Sequence, residues 1–499
     1  MKKIVLLPLD ERPCNNDFPK RLFNHDDIEI KRPEILGQYK TPADYEKIKT
    51  FLLENAADAD AMVISMDMLI YGGLIPSRLH HEKIETLLSR MEVLREIRKK
   101  NPKLLIYAFQ CIMRCPDYSS SDEEPDYYAS CGQQIHDLGT AVHMARHGED
   151  RSREINALRK EIGLEAIDDY ISRRDMNRRI NLETLNYLTD HTLDSLVIPR
   201  DDSQKYGYPA MDEEVVRGVI TELDLTEKVL SYPGADEVEL TLISRVINKM
   251  AGIKPKVYVK YASEKAKDIV PLYEGCELAT TIRYHIMSAG CQMTDGYEQA
   301  DIILVITAPS SNMQEAVIQP VRTASYSVDR LMVELVEFIK DRIAEGKIVT
   351  IGDDAYANGA DLELLHLLDH AGILMKVDGY AGWNTNANTL GTAIAEAVDS
   401  LHYGKTKGHR DFLLERYLED GGYCAKVREA ISEKLPECGA LHFTDNKTET
   451  DTVNQIRRDL KAFLRESLPS IEKQAEITQI SLPWHRMFEV DLEAEYSAE

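Results

Sequence analysis

Two adjacent aspartates, Asp201 and Asp202, follow an apolar run in the segment SLVIPRDDS that begins at Ser195. In a small dry site, two neighbouring carboxyl groups do not both ionise at their usual pKa, because the two charges repel each other. One then stays protonated and serves as an acid, while the other remains a base or orients the substrate. This division of labour predicts acid–base chemistry, with Asp201 and Asp202 as the candidate catalytic residues.

Charged and polar side chains follow most of the other apolar runs as well. The first run ends in PLDERPCNN, the second in SMDMLIYGGLIPSR and the third in CIMRCPDYSS. The candidate substrate-binding residues at the run ends are Asp10, Arg12, Asp67, Arg78, Arg114, Arg200, Asp236, Glu237, Asp353, Asp354, Trp383 and Asn384. A single aspartate after a strand is commonly a helix cap. Charged groups after six runs indicate a functional site, since such groups are unfavourable beside a core unless they are used.

Glycoside hydrolysis needs paired carboxyl groups, one to protonate the leaving oxygen and one to attack or stabilise the sugar centre. Aromatic side chains such as Trp383 can stack on sugar faces, and Asn384 can bind hydroxyl groups. The sequence therefore favours a glycoside-processing hydrolase that acts on a small carbohydrate.

Two other functions stay open. The first is a metal-dependent hydrolase or lyase that uses the same carboxylates; we predict no metal ligands and no cofactor, although oxygen ligands alone could hold Mg²⁺ or Mn²⁺. The second is a non-catalytic, two-lobed protein that binds a sugar or an anionic metabolite, with Arg12, Arg78, Arg114 and Arg200 as a bidentate clamp. Neither G-x-x-x-x-G-K-[ST] nor G-x-G-x-x-G occurs in the sequence.

The elements that must position these residues are strands that alternate with helices. Apolar runs occupy residues 3–10, 61–68, 104–114, 195–202, 228–237, 301–309, 347–354 and 374–384. They are rich in Val, Ile and Leu without clean alternation, as in parallel strands that are covered on both faces. Strand–helix repetition predicts an α/β fold, in which ligands bind at the carboxyl edge of the strands.

Eight runs predict a (β/α)8-like barrel, and two Rossmann-like lobes are the alternative because residues 28–36 and 256–293 offer further strands. In the barrel interpretation, residues 1–254 form its first part, 255–296 an inserted β-α-β unit, 297–400 the remainder and 401–499 an α-rich C-terminal region. The spacing also predicts a helix over 327–346, capped by Ser327, with Val328 and Leu331 on its apolar face. The charged helical segment 135–190 is expected to cover the barrel or to join subunits in a homo-oligomer.

The chain has 499 residues, 43% of them hydrophobic, and a formal net charge of −25. This charge argues against nucleic-acid partners and disfavours anionic substrates. No run of about 18 apolar residues suggests a membrane span, and the N-terminus reads as a strand and not as a signal peptide. Eight scattered cysteines suit a reducing compartment. We expect a cytoplasmic protein with no membrane partner.

The motifs LPLDERPCN, YPGADEVELTLISR and YAGWNTNANTLGTAIAEA resemble those of an uncharacterised bacterial domain-of-unknown-function family, number 4127. The resemblance covers nearly the whole chain and implies no particular activity.

A looser resemblance is architectural. The acidic pair, an aspartate after the seventh run and the Trp-Asn after the eighth are similar to the site of substrate-assisted β-N-acetylhexosaminidases. This resemblance implies that Asp201 orients the acetamido group of the substrate and that Asp202 is the general acid. Arg200 departs from that pattern, because an arginine directly before the pair lowers the pKa of a neighbouring aspartate and weakens an acid role.

Overall fold

The computed structural model describes residues 1–319, 323–435 and 442–497. Its strands are β1 Lys2–Leu7, β2 Ile28–Lys31, β3 Ala61–Ser65, β4 Leu105–Phe109, β5 Ser195–Arg200, β6 Val229–Pro233, β7 Lys256–Tyr261, β8 Gln292–Met293, β9 Ile302–Ile306, β10 Gln314–Glu315, β11 Ile348–Gly352, β12 Tyr356–Ala357, β13 Gly379–Ala381, β14 Ala475–Ser481 and β15 Asp491–Tyr496.

The α-helices alternate with these strands over most of the chain. They are α1 Pro13–Asn16, α2 Phe18–Phe23, α3 Tyr45–Asn55, α4 Met66–Tyr71, α5 Leu74–Leu79, α6 Ile84–Lys100, α7 Tyr128–Arg146, α8 Ser152–Ile162, α9 Leu164–Thr189, α10 Tyr208–Glu222, α11 Val238–Ala251, α12 Leu278–Ser288, α13 Ala324–Ser327, α14 Met332–Ala344, α15 Leu362–His370, α16 Asn386–Tyr403, α17 Lys407–Arg416, α18 Arg428–Ser432 and α19 Asn446–Ser467. A π-helical segment, Tyr417–Val427, joins α17 to α18.

The chain divides into two compact units. The first comprises Met1–Asn16, Asn24–Glu239 and Tyr273–Cys276, and the second comprises Asp17–Phe23, Leu240–Leu272 and Glu277–Glu499.

The first unit contains a six-stranded parallel sheet in the order β2-β1-β3-β4-β5-β6. Strands β1, β3, β4 and β5 each direct alternate aliphatic side chains into one core, where they meet residues from α3, α6, α9 and α10. All five residues of β3 are buried. A strand that is buried on both faces lacks polar alternation, which explains why the apolar runs in the sequence are continuous.

The second unit contains a five-stranded parallel sheet in the order β13-β11-β9-β7-β8. Residues 256–293, which the sequence suggested were an insertion, supply its first two strands and α12. Strands β14 and β15 form a separate antiparallel hairpin within the region that the sequence predicted to be α-rich.

Numbered within its own unit, each sheet has the strand order 2-1-3-4-5, and the first unit adds a sixth strand at the end. This is the order of a doubly wound, flavodoxin-like sheet, in which ligands bind outside the carboxyl ends near the point where the order reverses. That point lies between β1 and β3 in the first unit.

The predicted α/β class is confirmed, and each of the eight apolar runs contains a strand. The closed barrel is not confirmed, because the strands lie in two separate parallel sheets, as in the two-lobed alternative. Residues 320–322, 436–441 and 498–499 of the predicted regions 297–400 and 401–499 lie outside the described residues.

The predicted start of the helix over 327–346 is wrong. The helix begins at Met332, and Ser327 ends the short helix α13. Val328 and Leu331 are 66% and 58% exposed, so the apolar stripe that buries against the core starts further along the chain. Among the helices of the described residues, none combines the length and the apolar character that a membrane crossing requires.

Candidate functional site

The carboxyl edge of the first sheet collects charged side chains from five of its strands. Strand β3 passes directly into α4, because Ser65, the last residue of the strand, caps the helix by accepting a hydrogen bond from the Met68 N–H at 3.1 Å. Asp67 therefore lies in the first turn of α4. Gly72 and Gly73 then adopt positive φ angles of 86° and 137°, and the chain turns into α5, which carries Arg78.

A first cluster joins residues that follow β1 and β6. The Arg12 guanidinium lies between two carboxylates, with Nη2 2.7 Å from Asp10 Oδ2 and 2.6 Å from Asp236 Oδ1. Asn15 Nδ2 donates to the same two aspartates at 2.8 and 3.1 Å. Burial raises the pKa of Asp236 to about 6, since Arg12 opposes this shift only in part and Asp10 and Asp201 add to it.

A second cluster surrounds the Asp201–Asp202 pair. Arg78 Nη2 contacts Asp201 at 2.6 Å, and Arg114 Nη1 contacts Asp202 at 2.8 Å. Both guanidinium groups also contact Glu123 Oε2, at 2.9 and 3.0 Å. Glu124 Oε1 completes the cluster, 2.8 Å from Arg114 Nε. Each aspartate therefore has its own arginine, and the two arginines share a glutamate.

The sequence predicted that Asp201 and Asp202 have different proton affinities, which depends on their burial and on the charges around them. Their side chains are only 16% and 23% exposed. Burial raises the pKa of both carboxyl groups, and for Asp201 the Asp202 charge adds to the shift, although Arg78 and Arg114 oppose it. Asp202 also adopts a φ of 39°, in the left-handed region that favours glycine.

Asp67 is buried beside this second cluster. Its Oδ2 accepts a hydrogen bond from the Cys111 N–H at 2.8 Å. Burial raises its pKa to about 7, against the opposing effects of that hydrogen bond and of Arg78. Asp67, Arg78, Arg114 and Asp201 line one small, largely enclosed cavity whose free volume is about 10 Å³. This is about the space that one water molecule requires.

Arg200 does not take the role that its position in the sequence suggested. Its Nη1 pairs with Glu213 at 2.9 Å, so Arg78 and Arg114, and not Arg200, hold the aspartate pair. Glu237 accepts a hydrogen bond from the Ala235 N–H at 3.0 Å within the loop after β6.

The remaining four predicted site residues belong to the second unit. Asp353 accepts hydrogen bonds from the Thr307 hydroxyl, the Tyr380 hydroxyl and the Asp361 N–H, each at 2.7 Å. Burial raises the pKa of Asp353 to about 6, and the Asp361 charge adds to the shift. Three donors around one buried carboxyl group form a structural network. Asp354 is also buried, next to it in the chain.

Trp383 and Asn384 likewise have structural surroundings. Trp383 is 8% exposed, packs edge-on against Phe18 with ring centroids 6.0 Å apart, and donates from Nε1 to Thr392 Oγ1 at 3.2 Å. Asn384 has a φ of 51°, and its carbonyl accepts a hydrogen bond from the Asn358 N–H at 2.8 Å. The likeness to β-N-acetylhexosaminidases depends on counting strands in one barrel and stays a prediction.

The structure adds residues that the sequence interpretation missed. Glu123 and Glu124 lie in the segment SSSDEEPD after β4, well beyond the end of the apolar run. Glu239 accepts a hydrogen bond from the Leu9 N–H at 2.8 Å, and its burial raises its pKa well above the usual value. The consecutive acidic residues of that loop were the available signal for Glu123 and Glu124.

One group in the described residues has the spacing of a metal site. His143, His147 and Glu214 place their ligand atoms within 4.8 Å of one another. However, His143 Nδ1 faces the Gly207 N–H at 3.2 Å and must accept from it. A neutral imidazole then carries its proton on Nε2, the atom that faces Glu214 at 3.0 Å, so His143 donates there and has no lone pair for a metal.

The fold and the site together define a parallel α/β protein of two units, with an arginine–carboxylate site at the carboxyl edge of the first sheet. The chain belongs to the family described as "Protein of unknown function (DUF4127)", whose model matches residues 4–493. No curated protein matches the chain.

Proposed function

We propose that the protein is a glycoside-processing hydrolase whose acid and base groups are the buried carboxyl groups at the carboxyl edge of the first sheet. The observation that carries this proposal is the shared cavity of Asp67 and Asp201, which also contains two arginines. An aspartate that titrates near pH 7 can donate a proton at neutral pH, and a neighbouring carboxylate held by a guanidinium group remains available as a base.

In this mechanism the bond between the anomeric carbon and the leaving oxygen breaks, and water supplies the new bond to carbon. One carboxyl group gives its proton to the leaving oxygen, and a carboxylate removes a proton from the water, so charge balances over the cycle. Asp201 and Asp202 remain the central pair, with Asp67 as the nearby third group. Arg78 and Arg114 orient Asp201 and Asp202 through salt bridges.

The test is turnover of a panel of aryl glycosides by wild type, Asp202→Asn and Asp67→Asn. We expect each substitution to reduce kcat/KM by at least about a hundredfold, because general acid–base catalysis typically contributes that much. Asp58→Asn is the matched control, since the Asp58 side chain is 75% exposed and forms only a surface ion pair with Lys3. Unchanged turnover in both site variants, with the fold intact by circular dichroism, would remove these aspartates from the mechanism.

A metal-dependent hydrolase or lyase is the second candidate, and the surplus of carboxylates over guanidinium groups in the two clusters favours it. Acidic oxygen ligands suit Mg²⁺ or Mn²⁺. A chelator separates the two candidates: activity that survives EDTA supports the glycosidase, and activity lost to EDTA and restored by Mn²⁺ supports the metal enzyme.

The non-catalytic binding protein is the less favoured alternative. Arg12, Arg78, Arg114 and Arg200 each already contact a carboxylate of the chain, so an anionic ligand would have to displace those contacts. We also propose a cytoplasmic location. The seven cysteines of the described residues are free thiols, as is usual in a reducing compartment. Association of subunits through the helices of 135–190 stays a prediction.

A further inference from the structure

The first unit has a surface groove beside the two clusters described above, and of the cluster residues Glu124 lines it. Its larger part has a volume of about 890 Å³ and runs past Lys40, Leu79, Tyr127 and Leu164. Its smaller part has a volume of about 400 Å³. The two parts share Lys40, Leu79 and His81, so they form one continuous depression, which we call the Lys40 groove.

The Lys40 groove reaches the carboxylate site at two points. Glu124 lines the larger part, and its Oε1 contacts Arg114 at 2.8 Å. Tyr71 lines the smaller part and also the small cavity that Asp67 and Asp201 line. A molecule in the groove therefore lies next to the residues that carry the proposed chemistry.

Four buried polar atoms along the groove have no hydrogen-bond partner among the described residues: Glu124 Oε2, Tyr71 Oη, His80 Nδ1 and Arg173 Nη1. Glu124, Tyr71 and Arg173 are 1%, 3% and 4% exposed. A buried polar atom without a partner is unfavourable by about 1–3 kcal/mol, so such atoms gathered along one groove point to a ligand that satisfies them.

The surroundings of His80 fix which atom it offers. Asn177 Nδ2 donates to the Ser77 carbonyl at 2.8 Å, so Asn177 Oδ1 is the atom that faces His80 Nε2, also at 2.8 Å. His80 Nε2 must therefore carry the proton, and burial lowers the pKa of the ring, which keeps it neutral. His80 Nδ1 is an acceptor, and so is Glu124 Oε2, whereas Arg173 Nη1 is a donor and the Tyr71 hydroxyl can be either.

Donors and acceptors together on a partly apolar surface match the chemistry of sugars. Each sugar hydroxyl both donates and accepts, and sugar C–H faces pack on rings such as those of Tyr45 and Tyr127. Glu124, Asp126, Glu165 and Asp169 line the larger part beside Lys40 and Arg173, so the local charge disfavours anions. The volume of the larger part, about 890 Å³, falls at the upper end of the range for small-molecule sites. This is more space than one sugar ring needs.

We infer that the Lys40 groove binds a neutral oligosaccharide chain and leads one of its glycosidic bonds to the carboxylate site. This inference rests on the proposed function and specifies its substrate class: a chain of several sugars, not a monosaccharide glycoside.

The first test is isothermal titration calorimetry of cello-, malto-, xylo- and chito-oligosaccharides against the full-length Asp67→Asn protein, in which we expect turnover to be at least about a hundredfold slower. We expect affinity for one series to rise with chain length. Tyr71→Phe, made in the Asp67→Asn protein, removes only a hydroxyl that has no hydrogen-bond partner among the described residues. We expect it to weaken oligosaccharide binding about three- to tenfold and to leave the stability of the fold unchanged or raised. Tyr128→Phe is the matched control. It removes a hydroxyl that donates to the Pro116 carbonyl at 2.9 Å outside the groove, so it should lower stability without affecting binding.

The second test narrows the groove. Leu164 is 71% exposed at the start of α9 and lines the larger part, so Leu164→Trp fills space there without disturbing the core. We expect this variant to lose affinity for the long oligosaccharides and to keep the wild-type turnover of small aryl glycosides. Ile35→Trp is the control, since Ile35 is 68% exposed in the same unit and lines neither part of the groove.

The outcomes separate this inference from the proposed function. Length-dependent binding without hydrolysis by the wild type would support the groove and overturn the hydrolase. Hydrolysis of aryl glycosides with no binding of any of the four series, or with binding that Leu164→Trp leaves unchanged, would overturn the groove and leave the hydrolase standing.

Discussion

Asp67 and Asp353 are both buried aspartates with raised pKa values, yet their surroundings differ. Asp353 accepts three hydrogen bonds from neighbouring donors at 2.7 Å. Asp67 accepts a hydrogen bond from the Cys111 N–H at 2.8 Å, with further hydrogen-bond contributions from the Cys111 thiol and its own backbone N–H, and it lines a cavity beside Arg78. Buried carboxyl groups with raised pKa values that line cavities concentrate at functional sites.

The first prediction concerns stability in Asp67→Asn. Asp67 has a pKa of about 7 in the folded protein and an ordinary value of 3.8, so between these pH values the folded state holds a proton that the unfolded chain releases. Stability of the wild type therefore falls as pH rises through this window. Asparagine does not ionise, so the variant does not lose stability in this way. Its free energy of unfolding should match that of the wild type near pH 4 and exceed it at pH 8 by roughly 2–4 kcal/mol.

Urea denaturation of both proteins at pH 4 and pH 8 measures this difference. A variant that is less stable than the wild type at pH 8 would mean that the Asp67 carboxylate is stabilising, like an ordinary structural group.

The second prediction is that Asp353→Asn lowers stability at pH 4. The new amide nitrogen would face a donor that now points at a carboxyl oxygen, so at least one hydrogen bond is lost. At pH 4, below the Asp353 pKa of about 6, the folded wild type keeps this proton, so we expect the lost hydrogen bond to decide the difference and to cost about 1–3 kcal/mol by urea denaturation. At pH 8 the raised pKa of Asp353 also lowers the stability of the wild type, so the deficit of the variant should shrink there. An increase in stability at pH 4 would show that the three-donor network does not stabilise the second unit.

At the residue scale, sequence reasoning identified carboxyl groups at strand ends because strand and charge are adjacent in the chain. It therefore found Asp67, Asp201 and Asp236. It missed Glu123 and Glu124, since they reach the site from a loop, and only the folded chain brings them to Arg78 and Arg114. The same reasoning predicted Arg200 as a site residue because it is next to Asp201 in the chain. In the structure, Arg200 pairs with Glu213.

At the scale of elements, the turn between α4 and α5 positions Arg78. Gly72 ends α4 with a φ of 86°, and an added Cβ would lie 2.7 Å from the Ala43 nitrogen. Both facts require glycine, because other residues avoid this region and the neighbouring backbone leaves no room. The motif YGGLIPSR is thus a tight turn that presents an arginine.

The third prediction is that Gly72→Ala both destabilises the protein and reduces its activity, because the clash shifts α5 and with it the contact between Arg78 and Asp201. The conformational cost alone is about 1–2 kcal/mol. Gly148→Ala is the matched control, with a φ of 96° and open space around an added Cβ. Equal thermal shifts and equal activity in the two variants would show that the close packing at Gly72 is unimportant.

The strands were predictable and their order was not. Continuous runs of buried aliphatic residues gave β1, β3, β5 and β9 directly. Strand β7, with the sequence KVYVKY, alternates between buried and less buried residues. The sequence interpretation placed β7 in a small inserted unit, yet β7 pairs with β9 in the second sheet, and on its other side it pairs with the two-residue strand β8.

At the scale of the whole molecule, two units with the same strand order replace the eight-stranded barrel. Barrels and doubly wound sheets use the same strand–helix repeats and bury both faces of their strands. The two folds differ in whether the first and last strands of the sheet pair with each other. The local sequence pattern of a strand does not indicate that pairing. The additional strands β2 and β7 were the signal that favoured two sheets.

The fourth prediction follows from the formal net charge of −25. Sulfated or carboxylated oligosaccharides should bind more weakly than their neutral counterparts, and added salt should narrow the difference, because ions screen long-range repulsion. Calorimetric titration at low and high ionic strength measures this effect. Tighter binding of the anionic series at low salt would contradict it.

The central claim is that buried carboxyl groups at the carboxyl edge of the first sheet perform the proton transfers of glycoside hydrolysis. The most direct measurement is kcat/KM for aryl glycosides with wild type and Asp67→Asn at neutral pH. We expect measurable turnover by the wild type and a loss of at least about a hundredfold in a variant that is as stable or more stable. Equal turnover by the two proteins, or no turnover by the wild type of any glycoside tested, would contradict it.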